Sequence, residues 1–158
     1  MYPPEKNLDK LGLLSTDPER NPVFHDWNKF FFIYCDGSEY TGNRTDPISY
    51  KDTRLYFRGY ANVLEMFKFL EDKYDFYNGD TIVLTGVSAG GMGTYFHQNY
   101  LMENTKTSRV LAIPDSGLFL VDFETPLAGG MAVLQAYGKN LIEIGNEQGD
   151  GFPIKECG

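Results

Sequence analysis

A chain of 158 residues is long enough for one compact domain, which buries about 70% of the surface its unfolded form would expose. Its 42% hydrophobic and 15% aromatic residues exclude a disordered acidic chain, and its formal charge of -8 repels phosphate backbones and anionic lipid, so nucleic acid is excluded as a partner. No window reaches the roughly 20 apolar residues of a membrane span, and Met1-Tyr2-Pro3-Pro4-Glu5-Lys6 lacks the apolar core of a signal peptide, so the sequence reads as soluble without its own export signal.

Residues 1 to 28 mix prolines and charges with few apolar positions and read as an irregular lead-in to a single domain over residues 29 to 158. The run Phe30-Phe31-Phe32-Ile33-Tyr34-Cys35 is continuously apolar and stops at Asp36-Gly37, which predicts a strand over 29 to 35 buried on both faces. From Ser38 to Asp52 the Gly, Asn, Asp, Ser and Thr content predicts a loop. Ala61, Leu64, Phe67 and Leu70, with Val63 and Phe69 beside them, recur at helical spacing opposite Glu65, Lys68, Glu71, Asp72 and Lys73, predicting an amphipathic helix packed on a sheet.

Asn78-Gly79-Asp80 breaks that helix, and Thr81-Ile82-Val83-Leu84-Thr85 predicts a second strand. A helix from about Gly91 to Met102 follows, then a third strand, Arg109-Val110-Leu111-Ala112-Ile113, closed by Pro114-Asp115-Ser116-Gly117. A helix around Met131, Leu134 and Tyr137 within 124 to 144 is weakened by Gly129-Gly130 and Gly138, and the remainder reads as loop. This alternation predicts an α/β fold, a mostly parallel sheet with helices on both faces, in which the three strands are parallel neighbours.

Gly86-Val87-Ser88-Ala89-Gly90 matches G-x-S-x-G between a predicted strand and a predicted helix, the context of a nucleophile elbow. Ser88 is then the candidate nucleophile, lifted off the sheet by a sharp turn. Gly86 and Gly90 are expected to be glycines because side chains there would meet the adjoining strand or helix. The helix N-terminus behind Ser88 directs N–H groups and a favourable dipole at the reacting centre, with the Ala89 N–H as first oxyanion donor.

A nucleophilic serine needs a base, and the sequence has two histidines, His25 and His97. His97 lies on the same predicted helix, about 13 Å along its axis from Ser88, too far to hydrogen-bond it. His25 precedes the first strand, in a setting that points to no catalytic role. Asp36 and Asp115 each follow a predicted strand, where site-lining and turn-forming roles compete. Cys35 and Cys157 have neither metal nor redox spacing; separate thiols, a mutual disulfide and pairing outside the chain all stay open. Neither a metal nor a cofactor is called for. Asn43-Arg44-Thr45 fits the N-glycosylation pattern, which matters only in an exported protein.

Five segments stand out together: Asp26-Trp27-Asn28-Lys29 into Tyr34-Cys35-Asp36-Gly37-Ser38, then Leu55-Tyr56-Phe57-Arg58-Gly59, then Leu84-Thr85-Gly86-Val87-Ser88-Ala89-Gly90-Gly91, then Asp115-Ser116-Gly117-Leu118-Phe119-Leu120, and more faintly Pro153-Ile154-Lys155-Glu156-Cys157. In their order and spacing they resemble the pectin acetylesterase and Notum family of carboxylesterases. The resemblance implies a partial α/β-hydrolase-like fold, secretion or an endomembrane location, and removal of O-acyl groups, acetyl or fatty acyl, from polysaccharide or protein. It implies Ser88 as nucleophile, Ala89 as oxyanion donor, and Asp36 and Gly37 in a strand-end loop near the site. Family members are longer and richer in cysteine, carry an upstream glycine-rich oxyanion segment, and place the catalytic Asp and His beyond the region matching Cys157. This chain has none of these, and it has Val87 and Gln98 where plant-like members have cysteines. The expectation is a nucleophile half truncated relative to its family, or a catalytically incomplete member whose open sheet edge a protein partner covers.

Overall fold

In the computed structural model, which describes residues 12–106 and 109–118, the chain divides into two units, residues 1–32 and 33–158. Among the described residues of the first unit, a buried asparagine ties the backbone together. Asn21, 3% exposed, donates from Nδ2 to the carbonyls of Leu13 and Ser15, each at 2.9 Å, and accepts from the Phe24 N–H at 3.1 Å. One amide thereby satisfies three backbone groups in a segment whose regular structure is the short 3₁₀ turn Gly12–Leu14.

The second unit begins its regular structure with an antiparallel hairpin of β1 (Ile48–Tyr50) and β2 (Thr53–Leu55). Its two-residue loop needs a left-handed residue, which Lys51 supplies at φ 52°. The hairpin falls partly inside the segment expected to be loop; Lys51-Asp52 lacks the Gly or Asn that signals such a turn.

Helix α1 (Gly59–Tyr74) buries Gly59, Val63, Phe67 and Leu70, one stripe at helical spacing, while Phe69 faces outward at 55% exposure. It ends at Asp75 in the left-handed region, whose N–H caps the Glu71 carbonyl. The buried stripe meets α2 (Ala89–Asn104): Phe67 stacks on Tyr100 at 6.1 Å and lies edge-on to His97 at 6.4 Å.

Strands β3 (Ile82–Val87) and β4 (Val110–Asp115) pair in parallel, from Ile82 opposite Val110 to Val87 opposite Asp115, with α2 connecting them and packing on both. The alternation set by the pleat puts Ile82, Leu84 and Gly86 beside Val110, Ala112 and Pro114 on the more covered face. Val87, Leu111 and Ile113 on the other face are 65%, 43% and 42% exposed. No described helix is long and apolar enough to cross a membrane.

The strand expected over residues 29 to 35 does not form, so two rather than three of the expected parallel neighbours are paired. Phe30, Phe31 and Ile33 are 39%, 46% and 38% exposed, unlike a strand buried on both faces. An apolar run records a tendency to be extended and covered, but a strand exists only when a neighbouring edge accepts its ladder. The helix expected within 124 to 144, the loop after it and Cys157 lie outside the described residues.

Candidate active site

β3 ends at Val87 and α2 begins at Ala89, so Ser88 alone turns the chain between them. Its backbone lies at φ 56° and ψ −114°, sparsely populated for a residue with a Cβ and costing on the order of 1–3 kcal/mol. Two hydrogen bonds fix it. The Ser88 N–H donates to the Asp115 carbonyl at 2.9 Å, and the Ser88 carbonyl accepts from the Met92 N–H at 3.0 Å. The side chain is exposed and does not cap the helix. Behind it Ala89, Gly90 and Gly91 open α2, at the helix end where N–H groups have no partner within the helix.

Backbone packed on backbone explains the glycines, although not all those expected. A Cβ on Gly86 would lie 2.5 Å from the Gly90 carbonyl carbon and oxygen, so strand and helix touch there without room for a methyl. A Cβ on Gly90 would meet nothing within 4 Å, which corrects the expectation that Gly90 is sterically required. Gly90 presents its backbone to Gly86, and the space its side chain would take is open. The second required glycine is Gly91, where a Cβ would fall 2.6 Å from the Asp115 carbonyl oxygen and 2.7 Å from the Gly117 Cα. Gly117 faces Gly91 in return. Buried Thr94 donates its hydroxyl to the Gly90 carbonyl at 2.9 Å, binding the first turn of α2 to the next. Sequence reasoning missed Gly91, Gly117 and Thr94; the extra glycine after G-x-S-x-G and the glycine after Asp115-Ser116 were the available signals.

Asp115 therefore meets the turn through its backbone. Its carboxylate is exposed and accepts from the Ser116 hydroxyl at 2.8 Å. Asp36 builds a loop: its carboxylate accepts from the Ser38 N–H at 3.1 Å and the Ser38 hydroxyl at 2.7 Å, and Ser38 Oγ accepts from the Gly42 N–H at 3.0 Å. Gly37 is exposed at φ 72°, a conformation that suits glycine.

His97 does not have the setting of a base for Ser88. His97 is 2% exposed, stacked on Tyr60 at 5.2 Å, with Nε2 2.8 Å from the Tyr40 carbonyl. A carbonyl only accepts, so Nε2 carries the proton, and buried Nδ1 has no hydrogen-bond partner among the described residues. Burial pushes the imidazole pKa below its ordinary value, against a smaller upward effect from the Tyr40 carbonyl. Nine positions of helix, about 13 Å, separate it from Ser88. His25, half-buried in the first unit, donates its backbone N–H to the Asn21 carbonyl at 3.1 Å.

Residues 3–149 match the family model described as pectinacetylesterase. Pectin acetylesterase 5 of Arabidopsis thaliana is 36% identical over 143 residues, covering 89% of this chain and 32% of that protein. Palmitoleoyl-protein carboxylesterase NOTUM of Drosophila melanogaster is 30% identical over 119 residues, covering 71% of this chain and 18% of that one. The solved structure of the Wnt deacylase Notum from Drosophila superimposes with a TM-score of 0.68 at 26% identity, over 92% of this chain and 42% of that chain. The chain thus spans about a third of the length of the pectin acetylesterases it matches.

Proposed function

The chain belongs to the pectinacetylesterase family, and from that premise we propose that it supplies the nucleophile half of a serine carboxylesterase acting on O-acyl groups of a glycan or a protein. The observation that carries this reading is Ser88, exposed at φ 56° on the turn between a parallel strand and the helix that follows it. In an elbow of this kind the hydroxyl attacks the ester carbonyl while a base takes its proton. The oxyanion that forms faces the Ala89 N–H and the positive end of α2. Collapse expels the alcohol, protonated by the same base, and leaves an acyl-serine; water then attacks, releases the acid and returns the proton to Ser88.

A histidine outside this chain acts as the base in this scheme, since His97 is buried and bound elsewhere. The acyl group ranges from acetyl, as in the name of the plant relatives, to palmitoleoyl, as in the name of NOTUM. A secreted or endomembrane location fits the same relatives. The buried state of His97 also favours a second reading, a non-catalytic interaction protein on this scaffold, with a protein partner on its sheet.

The deciding experiment is covalent labelling with a fluorophosphonate, which phosphonylates esterase serines, followed by peptide mapping. Slow labelling at Ser88 that vanishes in Ser88→Ala supports the esterase reading. No label at Ser88, even at long times, leaves the interaction protein as the better account.

A further inference from the structure

Residues Glu39 and Tyr40 occupy two consecutive left-handed conformations, φ 55° and φ 62°. Neither is glycine or asparagine, so local preference does not set this shape. The surroundings do. Within the loop, Asp36 holds Ser38, Ser38 holds Gly42, and the Tyr34 hydroxyl accepts from the Glu39 N–H at 3.0 Å while the Tyr34 ring stacks on Tyr40 at 4.9 Å. Beyond the loop, two glycines make room for Tyr40: a Cβ on Gly59 of α1 would lie 2.7 Å from its Cα, and one on Gly93 of α2 would lie 3.0 Å from its ring. A polar tie between this loop and α2 is the 2.8 Å hydrogen bond from His97 Nε2 to the Tyr40 carbonyl.

We propose that His97 is a positioning residue: its Nε2–H locks the loop of residues 36 to 42 onto α2 and so holds Asp36 and Gly37 in a fixed place relative to the helix that carries the Ser88 turn. The lock stands on these contacts alone; its bearing on the site rests on the esterase reading of Ser88.

The ring is enclosed by Tyr60, stacked at 5.2 Å, and by Phe67, edge-on at 6.4 Å. Of the titratable residues around it, Tyr60 of α1 stacks on the ring and Tyr40 of the loop meets it through its backbone carbonyl. A second proton would go to Nδ1, which is buried and has no acceptor among the described residues. The same burial lowers the His97 pKa from 6.5. The lock is therefore closed by a neutral imidazole and weakens as the solution becomes acidic.

Hydrogen exchange at the amides of residues 39 to 42, in the full chain, tests this. His97→Phe keeps a ring and removes the donor; His97→Gln keeps a donor and removes the titration. In His97→Phe these amides should exchange about fivefold faster, the size of one lost neutral hydrogen bond, while the interior amides of α1 stay protected. His97→Gln should restore most of the protection. In the parent, protection corrected for intrinsic rates should fall as the pH drops below 6.5, and in His97→Gln it should not. Should His97→Phe fail to fold, the pH series of the parent and of His97→Gln still decides. Unchanged exchange in His97→Phe, or a pH-independent parent, overturns the lock. A lock that behaves as expected in a chain whose Ser88 takes no fluorophosphonate removes only the link to catalysis.

Discussion

Replacing Gly91 and Gly90 separately by alanine should have opposite effects, although the two residues are adjacent at the start of one helix. At Gly90 the added methyl meets nothing within 4 Å, and alanine costs less conformational entropy in a helix, so stability should rise by up to about 1 kcal/mol. At Gly91 the same gain is opposed by contacts of 2.6 Å to the Asp115 carbonyl oxygen and 2.7 Å to the Gly117 Cα. Both are backbone atoms that no rotamer change can move. Overpacking of this kind costs about 1–3 kcal/mol, and displacing β4 also lengthens the 2.9 Å bond from the Ser88 N–H to the Asp115 carbonyl, worth about 0.5–1.5 kcal/mol. The net loss is about 1–3 kcal/mol. With urea slopes of about 1–3 kcal/mol per molar, the unfolding midpoint of Gly91→Ala should drop by roughly 1 M, while that of Gly90→Ala holds or rises. Urea titration followed by far-UV circular dichroism reads both. Equal midpoints for the two variants would refute the idea that α2 is seated on β4 through Gly91.

Gly117→Ala fills the same gap from the other side, so it should lower the midpoint as Gly91→Ala does, and the double variant should lose clearly less than the sum; strict additivity would mean the glycines do not share one contact. The isolated chain should turn over nitrophenyl acetate slowly, and Ser88→Ala should leave that rate nearly unchanged while holding or slightly raising the unfolding midpoint, so a large Ser88-dependent rate would contradict the proposal that the base comes from outside this chain. Above pH 6.5 the His97 imidazole is neutral in both folded and unfolded chains and its contribution to stability is complete. As pH falls the unfolded chain takes up the proton first, so stability is lost from 6.5 down to the lower folded pKa; in His97→Gln this part of the acid loss should disappear from urea midpoints measured across that range.

The parts legible in the sequence are those in which one local pattern implies its own partner. Thr81 to Thr85 and Arg109 to Ile113 are short β-branched runs separated by a helical period, and a strand, helix, strand order brings the two strands side by side without further information. The Ser88 motif marked the turn between them. The edges were less legible: β3 runs on through Gly86 and Val87, and β4 continues through Pro114 to Asp115, because the ladder carries both strands past the residues that usually end one. The 29 to 35 run failed for the opposite reason, as its apolar content says nothing about whether an edge is there to meet it. The Glu39-Tyr40 loop was illegible altogether, since two left-handed residues without glycine leave no local signal and depend on Gly59, Gly93 and His97, distant in the sequence.

The shape of the Ser88 turn and the reactivity proposed for Ser88 have separate causes. Shape depends on Gly86 lying against the backbone of Gly90, on Gly91 lying against Gly117, on the Asp115 carbonyl and on Thr94. All of these fall between residues 86 and 117, inside a strand, helix, strand unit whose contacts are mutual. That reactivity depends on a proton acceptor, and the histidine of the helix that follows Ser88 is committed to the Tyr40 carbonyl and buried. Any substitution can then be sorted by which cause it touches: glycine and Thr94 variants should change stability and the accessibility of Ser88 together, whereas a base supplied from elsewhere should change reactivity with stability untouched. The strained φ of Ser88 persists in either case, because the packing that enforces it is independent of the chemistry it would serve.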